Sequence, residues 1–289
     1  MGRISRAWQL FQESFAVLAA DEEILIFPVL SGISALLLAA TFFIPLYRDG
    51  TLLAVARHKG TWDDYAVLFL WYYLNFFVTI FFNGALIGCA NIRLSGGQPT
   101  VAAGFRIASS RVGRIAAWAF VAATVGLLLS SLRDRGNRLL SFVAAGLSLA
   151  WSLITYLIVP VILFEDLGVF NSMHRSEELF RQHWGEQVAG SFGFGLLTTL
   201  LSIPAVLLTL ACWRFDPVAG IVLAALYLVF VAIVTSAVKG VFTAALYRYA
   251  SAGVAPAGFS AHVIDGALGG RRPAAERAPW DRAPWDSSY

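Results

Sequence analysis

Six apolar runs without a single Asp, Glu, Lys, Arg or His leave this chain few ways to fold. They cover residues 24–47, 66–92, 115–132, 139–164, 188–213 and 218–238. A helix needs about 20 apolar residues to cross the roughly 30 Å of a bilayer's hydrocarbon. The runs are continuous and do not alternate, so they read as helices and not as strands of a barrel. Composition agrees: 58% of the residues are hydrophobic and 13% charged, against about 45–50% and 25% in soluble domains. The expectation is an all-α, six-span membrane domain over residues 1–250, with a mostly disordered tail over 251–289.

The basic residues set an orientation. Thirteen Lys and Arg fall on the side that holds both ends of the chain, among them Arg3, Arg106, Arg111, Arg114, Arg175, Arg181 and Arg248. Seven fall on the other side, including Arg48, Lys59 and Arg133. The excess predicts both termini in the cytoplasm. A net charge of +3, spread between the apolar runs, reads as topology and not as nucleic-acid binding. The first run reads as a retained span, because Glu13, Asp21, Glu22 and Glu23 precede it and no small-residue cleavage site follows. Lys239 follows the last run directly and would snorkel to the interface.

A threefold pattern lies over the runs. Before the first, Ile4, Trp8, Phe11, Phe15 and Leu18 recur at spacings of four and three. Val101, Phe105, Ala108, Val112 and Ile115 repeat this before the third, and Phe170, Met173, Phe180 and Trp184 before the fifth. Each stripe fits one face of an amphipathic helix lying in the membrane interface. The unit would be one amphipathic helix and two spans, in three parallel copies. The alternative is that any short segment before a span tends to be amphipathic and basic.

The stretch 151–168 carries Trp151, Tyr156 and Pro160 and ends Phe164, Glu165, Asp166, Leu167, Gly168. Ser176, Glu177, Glu178, Leu179 and Phe180 follow, then Trp184, Gly185 and Glu186. With Trp8 and the Phe27-Pro28 start of the first run, these residues resemble a group of bacterial integral membrane proteins defined only as a domain of unknown function. The resemblance covers about residues 1–260 and implies a six-span inner-membrane protein. It brings no activity and no catalytic residues. More distantly, the pattern is similar to membrane domains attached to some glycerophosphodiester phosphodiesterases.

Glu165 and Asp166 stand at the predicted C-terminal end of the fourth span, where negative charge opposes the helix dipole. Arg175 or Arg181 could fold back to compensate and make a structural lock. The alternatives are solvated carboxylates that end the helix, or a substrate-binding pair. Polar stripes run along three spans: Asn75, Thr79, Asn83 and Asn91 in the second, Ser141, Ser148, Ser152 and Thr155 in the fourth, and Ser191, Thr198, Ser202 and Thr209 in the fifth. They read as helix packing, together with Gly84 and Gly88, or as a polar passage between spans two, four and five. Pro160 and Pro204 should kink their helices.

Enzyme signatures are missing. His174 and His183 have no third ligand nearby, Cys89 and Cys212 lie in apolar runs, and no nucleophile elbow, Walker or zinc motif occurs. No cofactor is expected. Asp63 and Asp64, beside Trp62 and Tyr65, read as flanking an aromatic interface belt. In the tail, residues 277–281 are repeated as 282–286, so Trp280 and Trp285 form a candidate bivalent docking motif for a protein partner or a neutral duplication. The leading reading is a non-enzymatic inner-membrane protein that organises lipid or partner proteins. A passive or partner-energised carrier of a lipid or apolar solute is the alternative, and an intramembrane enzyme the third.

Overall fold

A computed structural model describes residues 3–51, 61–133, 138–183, 193–212, 216–253, 256, 258 and 259. Among them every regular element is helical. In chain order these are α1 (Arg3–Ala20), a 3₁₀ turn (Glu22–Leu25), α2 (Ile26–Arg48), α3 (Trp62–Leu94), α4 (Val101–Ser110), α5 (Val112–Arg133), α6 (Arg138–Ile154), α7 (Ile158–Phe164), α8 (Val169–His183), α9 (Gly193–Cys212) and α10 (Pro217–Ala252).

Five segments are long and apolar enough to cross a membrane: Glu22–Arg48, Trp62–Leu94, Val112–Arg133, Leu140–Phe164 and Pro217–Ala252. The chain is therefore a multi-pass membrane protein. Six were expected. The sixth run, 188–213, is described only in part: its helix, Gly193–Cys212, has 20 residues, and the apolar stretch among its described side chains is Thr198–Leu210. Its helix α9 lies antiparallel along α10, with the Tyr227 hydroxyl donating to the Leu201 carbonyl at 2.9 Å.

The two longest helices start from strong caps. Thr61 and Asp64 form a capping box on α3, the Thr61 amide donating to Asp64 Oδ2 at 2.7 Å. Asp64 thus has a local role, satisfying amides that the helix cannot. Asp216 accepts from the amides of Val218 and Ala219 at 2.9 and 3.1 Å, with Pro217 in the first turn.

Burial is concentrated at the opposite end. The core runs through Ala85–Ala90 and Leu94 of α3, Leu157–Phe164, and Ala237–Ala250 of α10, closed by Leu18, Ile24, Phe27, Ile107, Ile115, Trp118 and Leu179. Helices α1, α4 and α8 pack around these ends, and we call this the platform end. Toward the far end the same long helices expose Leu36, Leu37, Phe142, Leu223 and Phe230, which is ordinary where hydrocarbon is the solvent.

Small residues let the platform close. A methyl on Gly104 would meet Phe27 Cζ at 2.6 Å, Cys89 Sγ at 2.7 Å and the Ala85 carbonyl oxygen at 2.8 Å. A methyl on Gly88 would lie 3.1 Å from Ile107. Helix α4 thus crosses α3 almost backbone to backbone, held also by Cys89 Sγ donating to the Thr100 carbonyl at 3.3 Å.

The fourth run is broken between Ile154 and Ile158. Pro160 has no amide for the Tyr156 carbonyl and its ring crowds that turn, so the interruption falls just ahead of it. Ser176 of α8 splices the gap. Its hydroxyl donates to the Ile154 carbonyl at 2.7 Å and accepts from the Leu157 amide at 3.2 Å. Pro204, by contrast, lies within one continuous α9.

Candidate functional site

Glu165 and Asp166 sit where α7 ends, two neighbours with opposite surroundings. The Glu165 side chain is 11% exposed, with Arg175 Nε 3.4 Å from its carboxylate. The Tyr247 hydroxyl of α10 donates to Glu165 Oε1 at 3.1 Å. Asp166 is 78% exposed and accepts from Arg111 Nη1 at 2.8 Å and from Arg114 Nη2. Arg114 also donates to the Glu165 carbonyl at 3.4 Å, which helps offset the dipole at the helix terminus. The pair thus ties α7 to α8, α10 and the junction of α4 with α5.

The electrostatics differ accordingly. Burial pushes the Glu165 carboxyl above its ordinary range, with Arg175 and Tyr247 pulling the other way. The hydrogen bonds from Arg114 and then Arg111 hold Asp166 below its ordinary range. Of the two arginines expected to fold back, Arg175 lies on Glu165, while Arg181 Nη1 lies 3.3 Å from Glu177. Arg181 sits two turns further along α8 and finds its carboxylate one turn back on its own helix, a favourable local pairing. A second polar tie stands beside this cluster. Arg248 Nη1 donates to Asn91 Oδ1 at 3.2 Å and to Ser95 Oγ, and Arg93 Nε pairs with Asp21 at 3.0 Å.

The polar stripes mostly fold back on themselves. Asn75 donates to the Trp71 carbonyl at 3.0 Å, Ser148 to Ala144 at 2.7 Å, Thr155 to Trp151 at 2.7 Å, Ser202 to Thr198 at 2.8 Å and Thr209 to Ala205 at 3.0 Å. Each satisfies its polar atom on the preceding turn. Ser152 is exposed on α6. Asn75, Ser152, Thr198 and Ser202 are not among the residues that line the cavity described next.

Thr79 and Asn83 do reach a cavity, of about 520 Å³, bounded by α2, α3, α10 and the α6–α7 break. Its polar lining is Ser31, Thr79, Asn83, Tyr156, Ser236, Lys239 and Thr243, and Phe27, Phe82, Leu86 and Val159 contribute apolar lining. The hydroxyls of Tyr156 and Thr243 are hydrogen-bonded to each other. Gly240 faces Leu86 across the α3–α10 contact, which lets the two helices meet closely below the cavity. The passage reading of the stripes, the alternative to helix packing, would lie between spans two, four and five. The observed cavity joins spans one, two, four and the last, because α9 packs on the outside of α10.

One family matches this chain, over residues 63–259: a family of unknown function, DUF6159. The chain belongs to it. The DUF6159 match begins in the first turn of α3 and ends at Phe259. It therefore takes in Asn83, Tyr156, Glu165, Asp166, Lys239 and Tyr247, and leaves out α1 and α2, so it is narrower than the resemblance over 1–260. No curated protein and no solved structure matches the chain.

Sequence reasoning missed Arg111, Arg114 and Tyr247 as partners of the two carboxylates. Arg111 and Arg114 stand off the apolar stripe three residues apart, a signal that they share a polar face. Nothing local marks Tyr247, which reaches Glu165 only through the packing of α10. Among the described residues no three His, Cys, Asp or Glu side chains gather to hold a metal. Trp184, Trp280 and Trp285 lie outside the described residues.

Proposed function

We propose that this protein organises lipid at the cytoplasmic face of a bacterial inner membrane, without catalysis of its own. In this reading it has six spans in three parallel units, each led by an amphipathic helix, and both termini lie in the cytoplasm. The observation that carries it is a surplus of apolar surface on the leading helices. Helices α1 and α8 bury Leu18 and Leu179, yet leave Trp8 47%, Phe15 45% and Phe170 75% exposed. A helix that buries one apolar stripe and keeps another bare suits an interfacial position, with aromatic rings at headgroup level. The ion pairs at Glu165 and Asp166 support the same reading, since they hold the leading helices in one arrangement. Partner proteins would come through the tail, at Trp280 and Trp285.

The test is lipid clustering in reconstituted vesicles of phosphatidylethanolamine and phosphatidylglycerol at 3:1, read by energy transfer between donor- and acceptor-labelled phosphatidylglycerol. Wild-type protein raises the transfer above that of empty vesicles. The variant Trp8→Ala/Phe15→Ala/Phe170→Ala loses at least half of the gain. An unchanged signal in that variant would remove the basis for the reading.

The cavity favours one second reading, a passive carrier of a lipid or apolar solute. That reading requires faster transbilayer movement of a fluorescent phospholipid than in protein-free vesicles, and the organiser reading requires none.

A further inference from the structure

The cavity beside Lys239 has features that a helix-packing defect would lack. It brings an ammonium, an amide and several hydroxyls into one space with aromatic and aliphatic side chains. Among the described residues neither the Lys239 nor the Asn83 side chain has a hydrogen-bond or ion-pair partner. An ammonium and an amide next to hydrocarbon are costly unless something satisfies them.

Three helices agree on the depth of the cavity. Lys239 is 22 residues beyond Pro217 on α10, which is about 33 Å along the axis. Asn83 is 21 residues beyond Trp62 on α3, about 32 Å. Ile154, the last residue of α6 and two before Tyr156, is 16 residues beyond Arg138, about 24 Å. With the helix starts at the far interface, these distances approach one hydrocarbon thickness of roughly 30 Å and put the cavity near the level where acyl chains give way to headgroups at the platform end.

Charge, hydrogen bonding and depth select one kind of occupant. A phosphodiester offers anionic acceptor oxygens to the Lys239 ammonium, the Asn83 amide and the Ser31, Thr79 and Ser236 hydroxyls. A glycerol backbone and the first acyl carbons suit Phe27, Phe82 and Val159. A volume of about 520 Å³ lies within the range of small-molecule sites. We infer that this cavity is a binding site for one anionic glycerophospholipid, whose phosphate is held by Lys239 and Asn83. The inference goes beyond lipid organisation by naming a single resident lipid, and rests on that reading only for placement in the membrane.

The test uses the full chain in nanodiscs of phosphatidylcholine and phosphatidylglycerol at 3:1, transferred to detergent and weighed by native mass spectrometry. Wild-type protein retains one phosphatidylglycerol, in preference to phosphatidylcholine. Lys239→Gln reduces that preference at least fivefold, Lys239→Arg keeps it, and Ser31→Phe, which fills the cavity without changing charge, abolishes retention. Both losses count only beside an unchanged melting temperature. If Lys239→Gln melts early, the comparison of Ser31→Phe with wild type decides. Retention without headgroup preference, full retention by Lys239→Gln, or full retention by Ser31→Phe each overturns the site. Displacement by millimolar inorganic phosphate would make free phosphate, and not lipid, the ligand. Failure here leaves the clustering assay untouched, because that assay reads Trp8, Phe15 and Phe170 instead.

Discussion

The two ends of this molecule satisfy their polar atoms in opposite ways. At the platform end, polar side chains reach between helices: Tyr247 to Glu165, Arg111 to Asp166, Arg248 to Asn91, Ser176 into the α6–α7 break. Toward the far end most turn back to their own helix, as Ser148, Ser202 and Thr209 do, or cap its start, as Asp64 and Asp216 do, with Tyr227 alone of those named here reaching across, to Leu201. Packing follows the same division. Close approach is found at Gly88 and Gly104 of the platform and once more at Gly220 near the far end, where a methyl would meet Cys212 Cβ at 2.7 Å, while one on Gly146 would have nothing within 4 Å. The lesson is that a helix surrounded by lipid needs no neighbour to satisfy it, whereas a layer beyond the hydrocarbon must build its own interior.

The sharpest test of this contrast is a pair of glycine substitutions. Gly104→Val drives a side chain into the Ala85 carbonyl and should cost the upper part of the 1–3 kcal/mol range for overpacking, about 3 kcal/mol, with loss of folded yield on size exclusion. Gly146→Ala should be neutral, or stabilising by up to about 1 kcal/mol through helix propensity. Equal effects would erase the distinction between the ends.

Next in size is Tyr247→Phe. Loss of the hydrogen bond to Glu165 should cost about 1.5 kcal/mol, the lower end for a bond to a charged acceptor, since Arg175 remains. Thermal melting in detergent reads it directly, and Tyr227→Phe on the same helix gives the reference for a bond to a carbonyl.

The pH dependence separates the two carboxylates. The raised Glu165 group binds its proton more tightly when folded, so its contribution is fully present below the ordinary value of 4.5 and is lost as pH rises through its folded value. Asp166 is the reverse: its contribution is present above the ordinary value of 3.8 and disappears as pH falls through its lowered folded value. Against the wild type, Glu165→Gln should flatten the rise in melting temperature on acidification from neutral pH toward 4.5. Asp166→Asn should flatten the fall below 3.8. Identical profiles for the two variants would contradict the assignment.

The smallest effect belongs to the polar stripe of α9. Ser202→Ala removes a bond that stays within its own helix and should change stability by no more than about 0.5 kcal/mol. A larger loss would mean that the far end also depends on contacts between helices.

Much of the architecture was legible because its signals are local. An uncharged run of about 20 residues announces itself, and so does the proline that ends one, as Pro160 does beside the α6–α7 break. The carboxylate pair at 165–166 was conspicuous for the same reason, since it opposes a dipole generated by its own helix. What could not be read were matters of which helix lies beside which. Arg114, Tyr247 and Lys239 each acquire their place from a partner more than 50 residues away in sequence. The polar stripe on α9 left two readings open for a related reason: hydroxyls that bond to the previous turn have the same spacing as hydroxyls that line a path.

Helix α10 has 36 residues and measures about 54 Å, while hydrocarbon spans only about 30 Å. With the Asp216 cap at the far interface, roughly 24 Å of rod would project past the opposite one. The rod is a pedestal of fixed height on a floor whose level varies. In a thicker bilayer the platform sinks and Lys239 is drawn below the headgroups; in a thinner one both rise clear of them. Bilayer thickness, through the modest energies of hydrophobic mismatch, is thereby converted into the elevation of a surface.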